Sequence, residues 1–214
     1  MMVPYFIGIV AVLAGASFAT DTTAGEKERK TLEAFLTMPV TRVRIVFGKF
    51  LGVLALSIIS VIFDLLGVVI GVSFYSSLFA EVTMAPGAAQ LSITPSNMLV
   101  IAVFALIVSM TGDAILMAVC IFAKSFKEAQ QYSSLLTTAF TMPMIAIMFL
   151  PPSILGNLIA VPIYGPIIIM RDAIYNVTAP DRLIFCLVTS LAYLVILLYF
   201  AVRLFSSERI LFRI

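Results

Sequence analysis

Five long apolar stretches dominate the pattern of the chain. They cover about residues 2–20, 45–73, 98–123, 132–150 and 183–204. A helix needs about 20 consecutive apolar residues to cross the hydrocarbon core of a bilayer, whereas a barrel strand shows alternation over about 10 residues. The pattern therefore predicts an all-α, polytopic membrane protein with five transmembrane helices, forming one membrane domain over residues 1–214.

A sixth apolar segment, residues 153–174, is interrupted by Pro162, Gly165 and Pro166. Proline in a helix interior removes a backbone hydrogen bond and clashes with the preceding turn. Irregular backbone at membrane depth is tolerated only where protein or a water-filled cavity surrounds it. The segment is therefore predicted to form a re-entrant or interfacial pair of short helices rather than a span.

The polar loop between the first two stretches carries helix signals of its own. Thr23 is followed three residues later by Glu26, which is the spacing of a capping box, and Pro39 ends the pattern. A short amphipathic helix over residues 23–38 is predicted, parallel to the membrane. It is either an interfacial anchor or a docking helix for a cytoplasmic partner. Four acidic residues mixed with the basic ones favour docking, because lipid-binding helices are more uniformly basic.

The loop between the third and fourth stretches, residues 124–131, is short and polar. Ser125 and Glu128 form a second capping-box pattern, so the fourth helix is predicted to begin in this loop. The loop is interpreted either as a solvated helix end or as a second, smaller docking element.

Composition excludes several classes of protein. Hydrophobic residues make up 62% of the chain and charged residues 11%, and the mean hydropathy is +1.16. Average soluble domains carry about 25% charged residues, so a soluble enzyme, a nucleic-acid-binding domain and a disordered chain are excluded. The sequence has no His, and Cys120 and Cys186 lie in apolar runs, where we interpret them as buried hydrophobic residues. No metal site is predicted.

Basic residues set the predicted orientation, because Lys and Arg concentrate in cytoplasmic loops. Only Arg171 and Arg182 fall on one side of the predicted membrane. The other 11 of the 13 basic residues fall on the opposite side: Lys27, Arg29, Lys30, Arg42, Arg44, Lys49, Lys124, Lys127, Arg203, Arg209 and Arg213. The protein is therefore predicted to lie in the cell membrane with its N-terminus outside and its C-terminus in the cytoplasm.

A signal peptide is the alternative for the first stretch, since Ala14-Gly15-Ala16 is similar to a cleavage site. However, residues 1–10 contain no Lys or Arg. Cleavage would also leave the most basic loop outside.

Asp64 and Asp113 are the ionisable residues well inside the predicted spans. An intramembrane carboxylate is a functional candidate, here for a cation path. The alternative is a carboxylate that hydrogen-bonds Ser, Thr or backbone groups of neighbouring helices. Because the second helix runs outward and the third inward, the two carboxylates are predicted to lie at different depths and not to pair.

Small residues recur at helical spacing in two of the predicted spans. They form two G-x-x-x-G pairs, Gly48 with Gly52 and Gly67 with Gly71, and a stripe of Ala11, Gly15 and Ala19. Such faces let helices approach closely, so both are interpreted as packing faces.

The sequence contains no nucleotide-binding motif. Gly48-Lys49-Phe50 differs from a P-loop, which needs a Gly five residues earlier, where Val43 stands, and Ser or Thr after the Lys. Any ATPase activity must therefore belong to another protein.

Residues 25–33, followed by Pro39, Arg42 and Gly48-Lys49, resemble the coupling helix of type-2 ABC exporter permeases, most closely the sodium-efflux, NatB-like branch. The resemblance covers essentially the whole chain, in order. Residues 124–130 are similar to the second cytoplasmic loop of that family, residues 162–166 with Arg171-Asp172 to its re-entrant hairpin, and residues 203–212 to its cytoplasmic tail.

The resemblance implies a permease subunit of an ATP-driven exporter that works by alternating access and moves a small solute or ion, with Na⁺ suggested by the branch. It implies a separate cytoplasmic ABC ATP-binding protein, a second permease chain and membrane lipid as partners. This chain itself would be no enzyme and would hold no cofactor. The implied ATPase-coupling residues are Gly25, Glu26, Lys27, Glu28, Arg29, Thr31, Leu32, Glu33, Lys124, Lys127 and Glu128.

The chain departs from that family in its number of spans. The family has six spans, and the NatB-like branch has a large extracellular domain between the first two. The first apolar stretch here resembles the second span. The missing parts are expected on another polypeptide, or the chain is truncated. Two alternative functions stay open: a secondary transporter or ion-conducting protein that uses Asp64 or Asp113, and a membrane scaffold that transports nothing.

Overall fold

The computed structural model of the protein describes residues 3–29, 41–78 and 94–206. Within these ranges the chain is helical and contains no β-strand, as the apolar pattern predicts. The α-helices are α1 (Val3–Ala14), α2 (Ala16–Thr20), α3 (Glu26–Glu28), α4 (Arg42–Leu78), α5 (Pro95–Cys120), α6 (Phe126–Met148), α7 (Pro152–Leu155), α8 (Tyr164–Ile174) and α9 (Pro180–Ser206).

The first helical stretch is continuous from Val3 to Glu28. A π-helical turn, Asp21–Gly25, joins α2 to α3. The predicted helix start at Thr23 is therefore wrong, because the helix is already running there and the Thr23 hydroxyl donates backward to the Ala19 carbonyl, at 2.6 Å. The remainder of the predicted amphipathic helix, including Thr31, Leu32 and Glu33, lies outside the described residues.

Four helices in the described ranges are long and apolar enough to cross a membrane. They are Val3–Glu28, Val43–Gly71, Pro95–Cys120 and Pro180–Leu204, and they coincide with the first, second, third and fifth predicted spans. The protein is a multi-pass membrane protein. At about 1.5 Å per residue, the 37-residue α4 is about 55 Å long, which exceeds the ~30 Å hydrocarbon core.

The fourth predicted span is also helical. Helix α6 has 23 residues and contains Pro143 in its interior. Serines and threonines make it less apolar than the other four long helices, so by length and composition alone it does not qualify as a span. The count of five spans stays a prediction.

The interrupted segment forms short helices, as its prolines predict. Helix α7 continues into a 3₁₀ turn, Gly156–Leu158, and α8 follows after a break. Ile163, in that break, has φ of 72°. Helix α8 is mostly buried against the rest of the molecule. Whether the segment re-enters the membrane stays a prediction.

Helix α5 occupies the centre of the bundle and packs against α1, α2, α4, α6, α8 and α9. Its buried side chains join those of α1 and α8 in the main apolar core, which includes Ile7, Phe104, Val108 and Ile167. A second cluster lies nearer the end of α5 and contains Phe50, Val53 and Met117.

The predicted small-residue faces divide into two groups. In the stripe on α1 and α2, Ala11 and Ala19 are fully buried, and Gly15 lies so close to α5 that a Cβ atom would stand 1.9 Å from Asp113 Oδ1. This packing face is confirmed. Gly52 also packs, since a Cβ built there would lie 3.2 Å from Phe18. Within the described part of the chain, nothing outside the helix's own backbone lies within 4 Å of a Cβ built at Gly48, Gly67 or Gly71, and all three are exposed. For these three a packing role stays a prediction.

Candidate functional site

The two predicted cytoplasmic segments meet at one end of the bundle. The Lys27 ammonium donates to the carbonyl of Ala123, after the end of α5, at 3.3 Å. The Glu28 carboxylate accepts from the backbone N–H of Phe126, the first residue of α6, at 2.6 Å. Residues separated by nearly a hundred positions in the sequence thus share direct hydrogen bonds. We call Glu26–Glu28, Lys49, Ala123 and Phe126 the joint.

Lys49 brings α4 into the joint. Its side chain is 8% exposed, pairs with the Glu26 carboxylate and donates to the carbonyl of Thr22 in the π-helical turn. Lys49 was named in the resemblance to the coupling helix but was not among the predicted ATPase-coupling residues. The available signal was a basic residue inside the predicted second span, residues 45–73, since such residues pair with acidic or carbonyl partners.

The predicted start of α6 at Ser125 is confirmed, although only one half of the capping box forms, because the Glu128 carboxylate bonds the N–H of Lys124 instead of that of Ser125. The Ser125 hydroxyl accepts from the Glu128 backbone N–H at 3.2 Å. The Glu128 carboxylate accepts from the Lys124 backbone N–H at 2.8 Å and from the Tyr132 hydroxyl at 2.5 Å. The Tyr132 hydrogen bond, followed by the Lys124 N–H, lowers the pKa of Glu128 below its ordinary value.

A small apolar cluster lies beneath the joint. Ala24, Cys120, Ala123 and Ala129 are buried there, with Tyr132 packed against them. Both cysteines are free and fully buried, which confirms their interpretation as hydrophobic residues.

The outer surface of the joint carries a groove of about 200 Å³, lined by Gly25, Glu28, Arg29 and Phe126. The Arg29 side chain is 70% exposed and pairs with Asp21 at 3.2 Å. Phe126 is exposed, and so is its neighbour Lys127. An aromatic ring bordered by basic side chains can receive a partner that presents apolar and acidic groups.

A larger cleft of about 380 Å³ lies between the middle of the first helical stretch and α6. Seven of its ten lining residues carry a hydroxyl or an amide group: Ser17, Thr20, Gln130, Ser133, Ser134, Thr137 and Thr138. Leu13, Ala16 and Phe126, with the aliphatic parts of the other side chains, make the lining partly apolar, and we call the cleft polar for its seven hydroxyl- and amide-bearing residues. The cleft could not be predicted from the sequence, because its two walls come from helices far apart in the chain.

The two intramembrane carboxylates lie apart. Asp113 is fully buried, and its Oδ2 accepts from the Ser57 hydroxyl of α4 at 2.6 Å. This is the predicted alternative of a carboxylate bonded to a neighbouring helix. Asp64 follows Ser57 by seven residues, about 10 Å along the same helix. Its Oδ2 is buried without a hydrogen-bond partner among the described residues. Neither carboxylate lines the polar cleft.

The described residues thus form a multi-pass helical bundle with a network of charged contacts at one end and a cleft between two of its helices. A family profile described as "ABC-2 family transporter protein" matches residues 2–209. The chain therefore belongs to the ABC-2 transporter family.

Among characterised relatives, the chain is similar to the ABC transporter permease protein NatB of Bacillus subtilis (strain 168). The two are 30% identical over 146 residues, which is 68% of this chain and 36% of that protein. The matched region thus covers about a third of the relative's length. The family match and this similarity confirm the resemblance to NatB-like permeases.

Proposed function

We propose that the chain is the membrane-spanning permease subunit of an ATP-driven exporter. A separate ABC ATP-binding protein closes on ATP and displaces the joint, and the spans alternate between inward- and outward-facing states. This chain itself hydrolyses nothing. Two permease chains form one pathway with two ATPase subunits. The exported species is a small solute or ion, and Na⁺ is the first to test because of the NatB-like branch.

The observation that carries the proposal is the joint. Segments expected to bear the load from an ATPase are bonded directly to each other and to three long helices. A displacement of either segment is therefore transmitted directly to the helices that it is bonded to. The proposed docking surface is the groove lined by Gly25, Glu28, Arg29 and Phe126, together with the exposed Lys127 that follows Phe126 in α6.

The polar cleft is the proposed half-pathway. Hydroxyl and amide groups on a membrane helix are poorly accommodated by lipid, and they suit water, a polar solute or a second protein chain. No charged side chain is among the residues that line the cleft. The lining thus suits a species that sheds part of its hydration shell onto neutral oxygen atoms. The second permease chain would close the open side.

The proposed topology has five spans, with α6 as the fourth, and a re-entrant segment made of α7 and α8. The joint faces the cytoplasm and the start of the described chain faces outside. This arrangement places Arg171 and Arg182 outside, in agreement with the distribution of basic residues.

The alternative is a secondary transporter that uses Asp64 or Asp113. Such a mechanism needs a carboxylate on a water-accessible path. Asp113 is enclosed by Ser57, Gly15 and Val53, which favours a structural role for it. Export that persists in Asp113→Asn and Asp64→Asn variants would exclude this alternative.

The test is co-purification of the permease from native membranes with its ATPase. We expect a P-loop ATPase to accompany the wild-type chain, and the double variant Arg29→Glu plus Lys127→Glu to lose it, because both charges on the docking surface are reversed. Arg182→Glu is the matched control, since Arg182 is exposed at the start of α9.

Retention of the ATPase by the double variant would place docking elsewhere. Absence of any ATPase from the wild-type complex would contradict the ATP-driven mechanism itself. Protease accessibility of the variants in membrane vesicles confirms that they are folded.

A further inference from the structure

Three consecutive residues in the joint bind three different helices. Glu26 pairs with Lys49 of α4, Lys27 with the carbonyl of Ala123 after α5, and Glu28 with the N–H of Phe126 in α6. Successive helical residues point about 100° apart, so one turn can reach three neighbours.

The charges of Lys27 and Glu28 are opposite in sign to the partial charges of the helix ends that they contact. The helix macrodipole places partial negative charge at a C-terminus and partial positive charge at an N-terminus. The Lys27 ammonium lies at the end of α5, and the Glu28 carboxylate lies at the start of α6. These two contacts are therefore charge-assisted hydrogen bonds to backbone groups.

The contact with α4 differs because it joins two side chains in a secluded place. Lys49 is 8% exposed and Glu26 is 23% exposed. Lys49 also donates to the carbonyl of Thr22. A π-helical turn changes the backbone pairing of a helix from i+4 to i+5 and is frequent at functional sites. Lys49 thus contacts both Thr22 in the π-helical turn and Glu26, the first residue after that turn.

We propose that Lys49 is the positioning residue that transmits movement of the joint into α4, and that Glu26 and Lys27 act as internal ties rather than as contacts for the ATPase, whereas Glu28 borders the docking groove and ties it to α6. Their carboxylates and ammonium are engaged by the permease itself. This inference rests on the proposed function, because the movement originates in the ATPase partner.

Helix α4 is suited to carry that movement. It runs unbroken from Arg42 to Leu78, and Ser57, which holds Asp113 of α5, follows Lys49 by eight residues, about 12 Å along the helix. A displacement imposed at Lys49 therefore reaches the interior contact between α4 and α5 without an intervening hinge.

The experiment uses the complete permease–ATPase complex in lipid nanodiscs. Spin labels are placed at Ile70→Cys on α4 and Ile184→Cys on α9, which are 67% and 65% exposed in the chain. The native Cys120 and Cys186 are fully buried, so we expect the spin label to react with the introduced cysteines only. The distance between labels is measured without nucleotide and after trapping with ATP and vanadate.

We expect the distance to change on trapping in the wild type and in Lys49→Arg, which keeps the charge. In Lys49→Met the change should be lost, while the ATPase still co-purifies and hydrolyses ATP. Stimulation of transport by ATP should fall by about five-fold or more.

Two results would contradict this inference and leave the proposed function intact. One is a normal distance change in Lys49→Met; the other is loss of the ATPase from the Lys49→Met variant, which would make Lys49 a docking residue. Failure of the ATPase to co-purify with the wild-type chain would instead contradict the proposed function. If Lys49→Met does not accumulate, Glu26→Gln weakens the same tie and is judged by the same results.

Discussion

The interior of the bundle and the joint at its end hold helices together by different means. In the interior, α1, α4 and α5 approach through Gly15, and one hydrogen bond joins Ser57 to Asp113. In the joint, side-chain charges reach backbone groups and one another across several helices. The interior depends on close approach of the helices, whereas the joint depends on polar contacts, of which the Lys49–Glu26 pair is largely shielded from solvent. Different substitutions should therefore disrupt the two regions.

The largest effect is expected from filling the interior. Gly15→Leu should destabilise the protein by about 3 kcal/mol or more, because its Cβ alone would meet Asp113 Oδ1 at 1.9 Å and Val53 Cγ1 at 2.7 Å. A thermal melt in detergent, followed by circular dichroism, measures the change.

Gly67→Leu is the matched control, since a Cβ at Gly67 meets nothing within 4 Å. It should change stability by no more than about 1 kcal/mol. Equal losses in the two variants would show that the interior is not fixed by close approach at Gly15.

A smaller effect is expected from the hydrogen bond between Ser57 of α4 and Asp113 of α5. Ser57→Ala removes the donor to Asp113 Oδ2 and should destabilise the protein by about 1–2 kcal/mol. Ser60→Ala, on the next turn of α4, is the control. The same thermal melt measures the stability of both variants. Equal losses of stability in Ser57→Ala and Ser60→Ala would contradict a specific role for the Ser57 hydrogen bond.

A smaller effect still is expected at the start of α6. Ser125→Ala removes the hydroxyl that accepts from Glu128 N–H and should weaken the helix by about 1 kcal/mol. Amide hydrogen exchange should accelerate over residues 126–129 and stay unchanged in α5. Ser134→Ala, on the exposed side of the same helix, serves as the comparison. Uniform acceleration throughout the bundle would contradict a local role.

The smallest effect is a pH dependence at the same place. The Tyr132 hydrogen bond lowers the pKa of Glu128 in the folded protein. Its stabilising contribution is therefore complete above the unfolded-state pKa, about 4.3, and is lost as pH falls through the lower folded value. The protection factors of the amides of residues 126–129, each relative to the intrinsic exchange rate at the same pH, should fall on acidification through that range. Glu128→Gln should abolish this dependence, and its persistence in the variant would assign it to another group.

The helices of the interior were predictable because continuous apolar residues leave few alternatives in a bilayer. The cap of α6 was also predictable, since Ser125 and Glu128 interact with nearby backbone groups. The same pattern at Thr23 gave a wrong helix start because it says nothing about the residues before it, which are already helical.

Contacts between distant segments could not be read from the sequence. Lys49 is one basic residue in an apolar helix, and only packing reveals that Thr22 and Glu26 lie beside it. The glycines of α4 show the same limit. A Cβ atom built at Gly52 would lie 3.2 Å from Cε1 of Phe18, whereas Gly48, Gly67 and Gly71 face outward. Gly48 and Gly52 thus differ in their contacts although their spacing places them on the same side of the helix.

The π-helical turn between α2 and α3 has a consequence for the direction of every residue after it. A turn of this kind accommodates one extra residue in an otherwise α-helical path, and each residue rotates the side chains that follow by about 100°. If the same five residues, Asp21–Gly25, formed a regular α-helical turn instead, Glu26, Lys27 and Glu28 would be rotated by about 100° away from their three partners. The irregularity thus sets the angular register in which the molecule's charged end is assembled.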